Sequence, residues 1–96
     1  MFIAILTYKK SLEKVDEFLE EHKLYLDKNY NLGNFIFSGR RNPRVGGVIL
    51  INRDSENHVM EIIKEDPFFK YEIADYELIE FSPTMYDEKF GVFINN

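Results

Sequence analysis

The sequence predicts an α+β domain in the order βαββαβ, a four-stranded antiparallel sheet with two helices on one face. Three observations carry this. Short runs rich in Ile, Val and aromatics read as strands. Two stretches of helical periodicity are each opened by a serine and closed by a Gly or a Pro. A polar turn through Arg41, Asn42 and Pro43 joins the two middle strands directly, with no helix between them.

The elements follow in order. Phe2 to Tyr8 is a strand by its Ile and aromatic content. Ser11 is a suitable N-cap for a helix running to Leu32, and Gly33 a suitable C′ residue after it. Phe35 to Gly39 and Val45 to Asn52 are the second and third strands. Asp54 or Ser55 caps a second helix that runs to Asp66 and is ended by Pro67, because proline lacks the amide proton the helix needs. Phe68 to Tyr71 is an aromatic connector, and Glu72 to Phe81 the fourth strand. This order is the ferredoxin-like pattern.

In such a fold both helices lie on one face of the sheet. The first and third strands, Phe2-Ile3-Ala4-Ile5-Leu6 and Val48-Ile49-Leu50-Ile51, show no polar alternation, so both of their faces need cover. The economical cover is the same sheet from a second subunit, which predicts a homodimer. The competing cover is the C-terminal tail, residues 87–96, through Phe90, Val92, Phe93 and Ile94.

Composition bounds the function. The 96 residues make one domain, with nine Phe, six Tyr and no Trp in a chain 45% apolar and 30% charged. Zero Cys excludes disulfide scaffolds, thiolate metal sites and cysteine nucleophiles, and fits a cytoplasmic protein. A net charge of −5 argues against nucleic-acid and anionic-membrane partners, which require a basic surface. Met1 to Leu6 is too short for a signal-peptide core, and no run approaches the roughly 20 apolar residues of a membrane span.

Two ionisable residues break the binary pattern. On the first helix Leu12, Val15, Leu19, Leu26 and Tyr30 form one apolar arc, and His22 falls within it, pointing inward. On the second, Val59, Ile62 and Ile63 form the stripe, and Asp66 continues it. An inward carboxylate must be paired, hydrogen-bonded or protonated. An inward His and an inward Asp on different helices make a candidate dyad. Each also has a plain structural explanation, a core histidine bonded to a carbonyl and a pre-proline Asp bonded to nearby amides.

Other chemistries leave no trace. No Ser sits in a nucleophile motif, the two His (His22 and His58) lack metal-ligand spacing, and Gly46-Gly47 lacks a phosphate-loop pattern, reading instead as close strand packing at a hairpin. No metal or cofactor is therefore expected. Arg40, Arg41 and Arg44 form a basic cluster in an acidic chain; Arg44, nearest the sheet centre, is the candidate anion clamp, with Arg40 and Arg41 flanking the turn in solvent. Tyr8 and Phe68 are candidate aromatic pocket walls.

Glu20-Glu21-His22, the strand ending in Ser38-Gly39, Asn42-Pro43-Arg44 leading into Gly46-Gly47-Val48-Ile49-Leu50, and Glu65-Asp66-Pro67-Phe68-Phe69 resemble the YciI-like (YCII-related) family over residues 1–86. The resemblance implies a dimeric α+β barrel of ferredoxin-like subunits, related to muconolactone isomerase-like proteins, with a site centred on His22 and Asp66. A dehydrochlorinase of chlorinated aromatics is the best-defined activity of the wider superfamily. The expected function is cofactor-independent proton transfer, elimination or isomerisation, with His22 as base, Asp66 orienting it or acting as acid, and Ser38, Arg44 and Phe68 contacting a small anionic or aromatic substrate. The alternatives are a non-catalytic anion-binding or regulatory dimer module, and a structural dimerisation domain in which the two residues only satisfy each other.

Overall fold

A computed structural model describes residues 1–94. The strands are β1 (Phe2–Tyr8), β2 (Phe35–Arg40), β3 (Gly46–Ile51) and β4 (Ala74–Glu80). Helices α1 (Leu12–Glu17) and α2 (Leu19–Asn31) follow β1, and α3 (Glu56–Lys64) and α4 (Pro67–Lys70) follow β3. The sheet is antiparallel throughout, in the order β2-β3-β1-β4. This is the expected α+β, ferredoxin-like architecture.

The strand register assigns the faces. Phe2, Ala4 and Leu6 of β1 pair with Ile51, Ile49 and Gly47 of β3, and the side chains of the first three with Ile49 and Ile51 join Val15, Tyr25, Val59, Ile62, Ile63 and Phe68 from the helices in one buried core. Ile3 and Ile5 pair with Leu50 and Val48 on the opposite face, where Phe37 and Ile79 stay 54% and 43% exposed. The tail forms a short 3₁₀ helix, Glu88–Phe93, started by Asp87, whose carboxylate accepts the Lys89 amide at 2.9 Å. Phe93 and Ile94 border a depression with Met1, Arg53 and Pro83, at the end of the sheet where β1 begins. Val92 remains 72% exposed. The last two positions of the proposed tail, Asn95 and Asn96, lie outside the described residues.

Two boundaries differ from the sequence expectation, and both shape the site. The first helix is two helices: at Phe18 the backbone leaves helical geometry (φ −106°, ψ 3°) and the amide turns back to Val15. The break lets the Phe18 ring stack on Tyr71, centroids 4.6 Å apart, beside α4. It also re-phases α2, so Tyr25 and Asn29 are its buried residues, while Leu12 and Tyr30 of the expected arc are exposed. The aromatic connector, in turn, is helical. Pro67 at its first turn has the fixed φ that opens a helix and no amide proton to leave unpaired.

Candidate functional site

Asp66 does not end a helix; it begins one. The backbone of α3 stops at Lys64, and Asp66 adopts extended geometry (φ −68°, ψ 127°) as the N-cap of α4. Its Oδ1 accepts the Phe68 amide at 2.9 Å, the ordinary work of a capping carboxylate. The cap is fully buried, however, and has two further donors. His22 Nδ1 lies 2.8 Å from the same Oδ1, and the Tyr76 hydroxyl donates to Oδ2. Both sequence-based explanations of Asp66 thus hold together: it bonds a nearby amide and it pairs with the inward histidine.

His22 is held from three directions. Its ring lies flat on Phe68, centroids 4.0 Å apart and planes 4° from parallel. The cap that positions Phe68 therefore also positions the surface on which the imidazole rests. Tyr25, one turn on in α2, donates its hydroxyl to the Ile62 carbonyl of α3 at 2.9 Å, and Lys28 meets Glu65 at 3.2 Å. These cross-links fix the azimuth of α2 over the α3–α4 junction. The His22 side chain keeps 12% of its surface accessible.

Electrostatics follow from burial. Desolvation, then the nearby Asp66 charge, pushes the Tyr76 and Tyr25 phenols well above their ordinary value. Both stay protonated and able to donate at neutral pH. Every buried polar side-chain atom among the described residues has a partner.

The imidazole borders a cavity of about 250 Å³ between α2 and the β2–β3 end of the sheet. Leu19, Leu26, Tyr8 and Phe68 supply apolar and aromatic walls, Ser38 and Arg40 a polar edge, and Lys23 stands at the rim. A larger, open concavity of about 750 Å³ lies on the β4 side, where Lys9, Lys64 and Lys70 surround Phe69 and Leu78; His22 does not line it. The smaller cavity is the one that His22 borders, with its Nδ1 turned away toward Asp66.

The sequence-derived residues divide. His22, Ser38 and Phe68 border the cavity, and Asp66 lies directly behind His22. Ser38 is also bonded to the Tyr30 hydroxyl at 2.6 Å. Arg44 does not line the cavity: its guanidinium bonds Asp16 of α1 at 2.5 Å, which raises its pKa further. The arginine at the cavity is Arg40, which the sequence reading had placed in solvent, while Arg41 bonds the Thr7 hydroxyl at 2.9 Å. The two-residue period of β2 carries the missed signal: Arg40 shares the face of Ser38, the helix-covered side. Tyr76 was missed as well, although its alternation with Ala74 and Leu78 puts it on that same side.

The model of the YCII-related domain matches residues 1–82. The chain belongs to the YCII-related family. A search of curated proteins returns no match. Among solved structures, the chain resembles the 5-chloro-2-hydroxyhydroquinone dehydrochlorinase TftG from Burkholderia phenoliruptrix AC1100, in complex with 2,5-dihydroxybenzoquinone. The TM-score is 0.71 at 16% identity, over 85% of this chain and 94% of that one. At that identity the likeness shows the fold alone. Among the described residues, no helix of this YCII-related protein is long and apolar enough to cross a membrane.

Proposed function

We propose that this YCII-related protein is a cofactor-independent lyase or isomerase that moves a proton on a small anionic, aromatic or quinonoid substrate, acting as a homodimer. One observation carries the reading: a fully buried carboxylate engages Nδ1 of an imidazole that borders a substrate-sized cavity. With Nδ1 donating to Asp66, the Nε2 lone pair is free to take a proton from a phenol or from a carbon beside a carbonyl. The Phe68 amide and Tyr76 hydroxyl already fill Asp66, so its part is orientation and stabilisation of the imidazolium. Arg40 takes the anion-holding role expected of Arg44, with Ser38 beside it and Phe68 as an aromatic wall.

The ligand named with TftG, 2,5-dihydroxybenzoquinone, is a suitable probe. Titrating it into ¹⁵N-labelled protein is expected to shift the resonances of His22, Ser38, Gly39, Gly47 and Phe68, and Arg40→Gln to weaken binding about tenfold. Shifts confined to Lys64, Phe69 and Lys70 would place the ligand in the β4 concavity and overturn this site assignment.

A further inference from the structure

The structure assigns Tyr76 as the positioning residue of the His22–Asp66 pair: its hydroxyl holds Asp66 Oδ2 so that Oδ1 stays turned toward the imidazole. This rests on the proposed role of His22 as base and adds the group that aims its carboxylate partner. A carboxylate on a short side chain can rotate about its Cβ–Cγ bond, and a cap bond from a single amide does not stop it. Here Phe68 N–H and His22 share Oδ1 while, among the described residues, Tyr76 alone engages Oδ2. The three donors come from three elements, the first turn of α4, helix α2 and strand β4. Rotating the carboxylate would break all three bonds inside a fully buried site.

Tyr76 is placed for this by the sheet. It pairs with Leu6, on the helix-covered face, and its ring meets Phe69 at 5.7 Å with the planes 68° apart, which fixes the direction of the hydroxyl. Burial keeps the phenol protonated, so it remains a donor at neutral pH. The charged and titratable groups around Asp66 and Tyr76 are His22 and Tyr25 of α2, Glu65 next to Asp66 in the chain, and Tyr8 of β1, which faces Tyr76. Of these tyrosines, only Tyr76 hydrogen-bonds the carboxylate.

A donor on Oδ2 draws negative charge away from Oδ1. A stronger donor there weakens Oδ1 as the acceptor for the Nδ1–H, whereas loss of the donor frees the carboxylate to turn away from the imidazole. The test is ¹⁵N NMR of the His22 ring in the full-length protein, which needs no substrate and so stands apart from the success of the proposed activity. In Tyr76→Phe the neutral ring is expected to lose its preference for carrying the proton on Nδ1, the Nδ1 signal moving toward a tautomer-averaged position as the carboxylate gains freedom. Placing 3-fluorotyrosine, a stronger donor of nearly the same size, at position 76 is expected to keep the Nδ1–H tautomer while moving the Nδ1-bound proton signal upfield, and it remains informative if Tyr76→Phe does not fold. An undiminished Nδ1–H tautomer in Tyr76→Phe, or an unmoved Nδ1 proton signal in the fluorinated protein, would overturn the assignment and leave Tyr76 a packing residue.

Discussion

At the scale of single residues, the pairing of His22 with Asp66 was legible because two ionisable side chains sat where apolar ones belong, and an inward carboxylate must find a partner. What the sequence did not reveal was how Asp66 is held. Its second role, as N-cap, separates the pair energetically. Asp66→Ala removes a buried cap and strands the Tyr76 hydroxyl and His22, so a loss of about 3 kcal/mol is expected in urea denaturation. His22→Leu leaves Asp66 with two donors and adds apolar burial, so its loss is expected to be about 1 kcal/mol or less. Equal losses would make the imidazole a structural partner and nothing more. The buried phenols add a pH signature. Tyr25 and Tyr76 have folded-state pKa values raised above the unfolded 10.0. The unfolded chain therefore releases these protons first as pH climbs, and stability, full below about pH 10, falls above it at up to about 1.4 kcal/mol per unit for each phenol. Tyr25→Phe should make this alkaline limb shallower by one proton; an unaltered slope would mean that Tyr25 ionises alike in both states.

At the scale of elements, the βαββαβ order was readable because both helical segments opened on a capping serine, Ser11 and Ser55, and Gly33 and Pro67 marked where the chain changes course. The break at Phe18 was not readable. Nothing between Leu12 and Asn31 is a helix breaker, and the interruption follows from tertiary stacking of Phe18 on Tyr71. Tertiary packing thus overrode local propensity, and with it the expected arc of Leu12 and Tyr30. The Gly46-Gly47 pair behaves as the hairpin reading required, but unequally. A Cβ on Gly46 would lie 1.7 Å from the Leu6 carbonyl oxygen, a contact that only movement of the backbone could relieve, whereas on Gly47 the nearest atom, the Gly39 oxygen, is 3.1 Å away. Gly46→Ala is expected to destabilise the β1–β3 pairing by about 3 kcal/mol, and Gly47→Ala by about 1 kcal/mol or less. Thermal melts of the two variants check the ranking; comparable melting temperatures would show that the strands can separate at that point without cost.

At the scale of the whole molecule, the apolar character of both faces of β1 and β3 was plain in the sequence, and the structure leaves the second face incompletely covered. The tail gathers near Met1 and Arg53, while Phe37 and Ile79 remain open to solvent. A homodimer packed sheet on sheet would bury them. Light scattering is expected to give twice the 11.5 kDa chain mass, and Phe37→Glu to shift the protein toward monomer. A monomer mass for the wild-type chain at micromolar concentration would remove the dimer from the account. Within the single chain, one wall of the cavity is built by α2 and its far side by the β2–β3 hairpin, elements distant in sequence whose juxtaposition only the completed sheet creates.

Whether the cavity transforms its ligand or only holds it is decided by isotope exchange. The protein is incubated in deuterated water with phenols and hydroxyquinones, 2,5-dihydroxybenzoquinone among them, and deuterium uptake is followed by mass spectrometry. The wild-type protein is expected to catalyse carbon-bound exchange in at least one compound that occupies the cavity, and His22→Asn to slow it by about 10²-fold or more. Exchange undiminished in His22→Asn, or none in any compound that NMR shows bound beside His22, would contradict a catalytic base at this position.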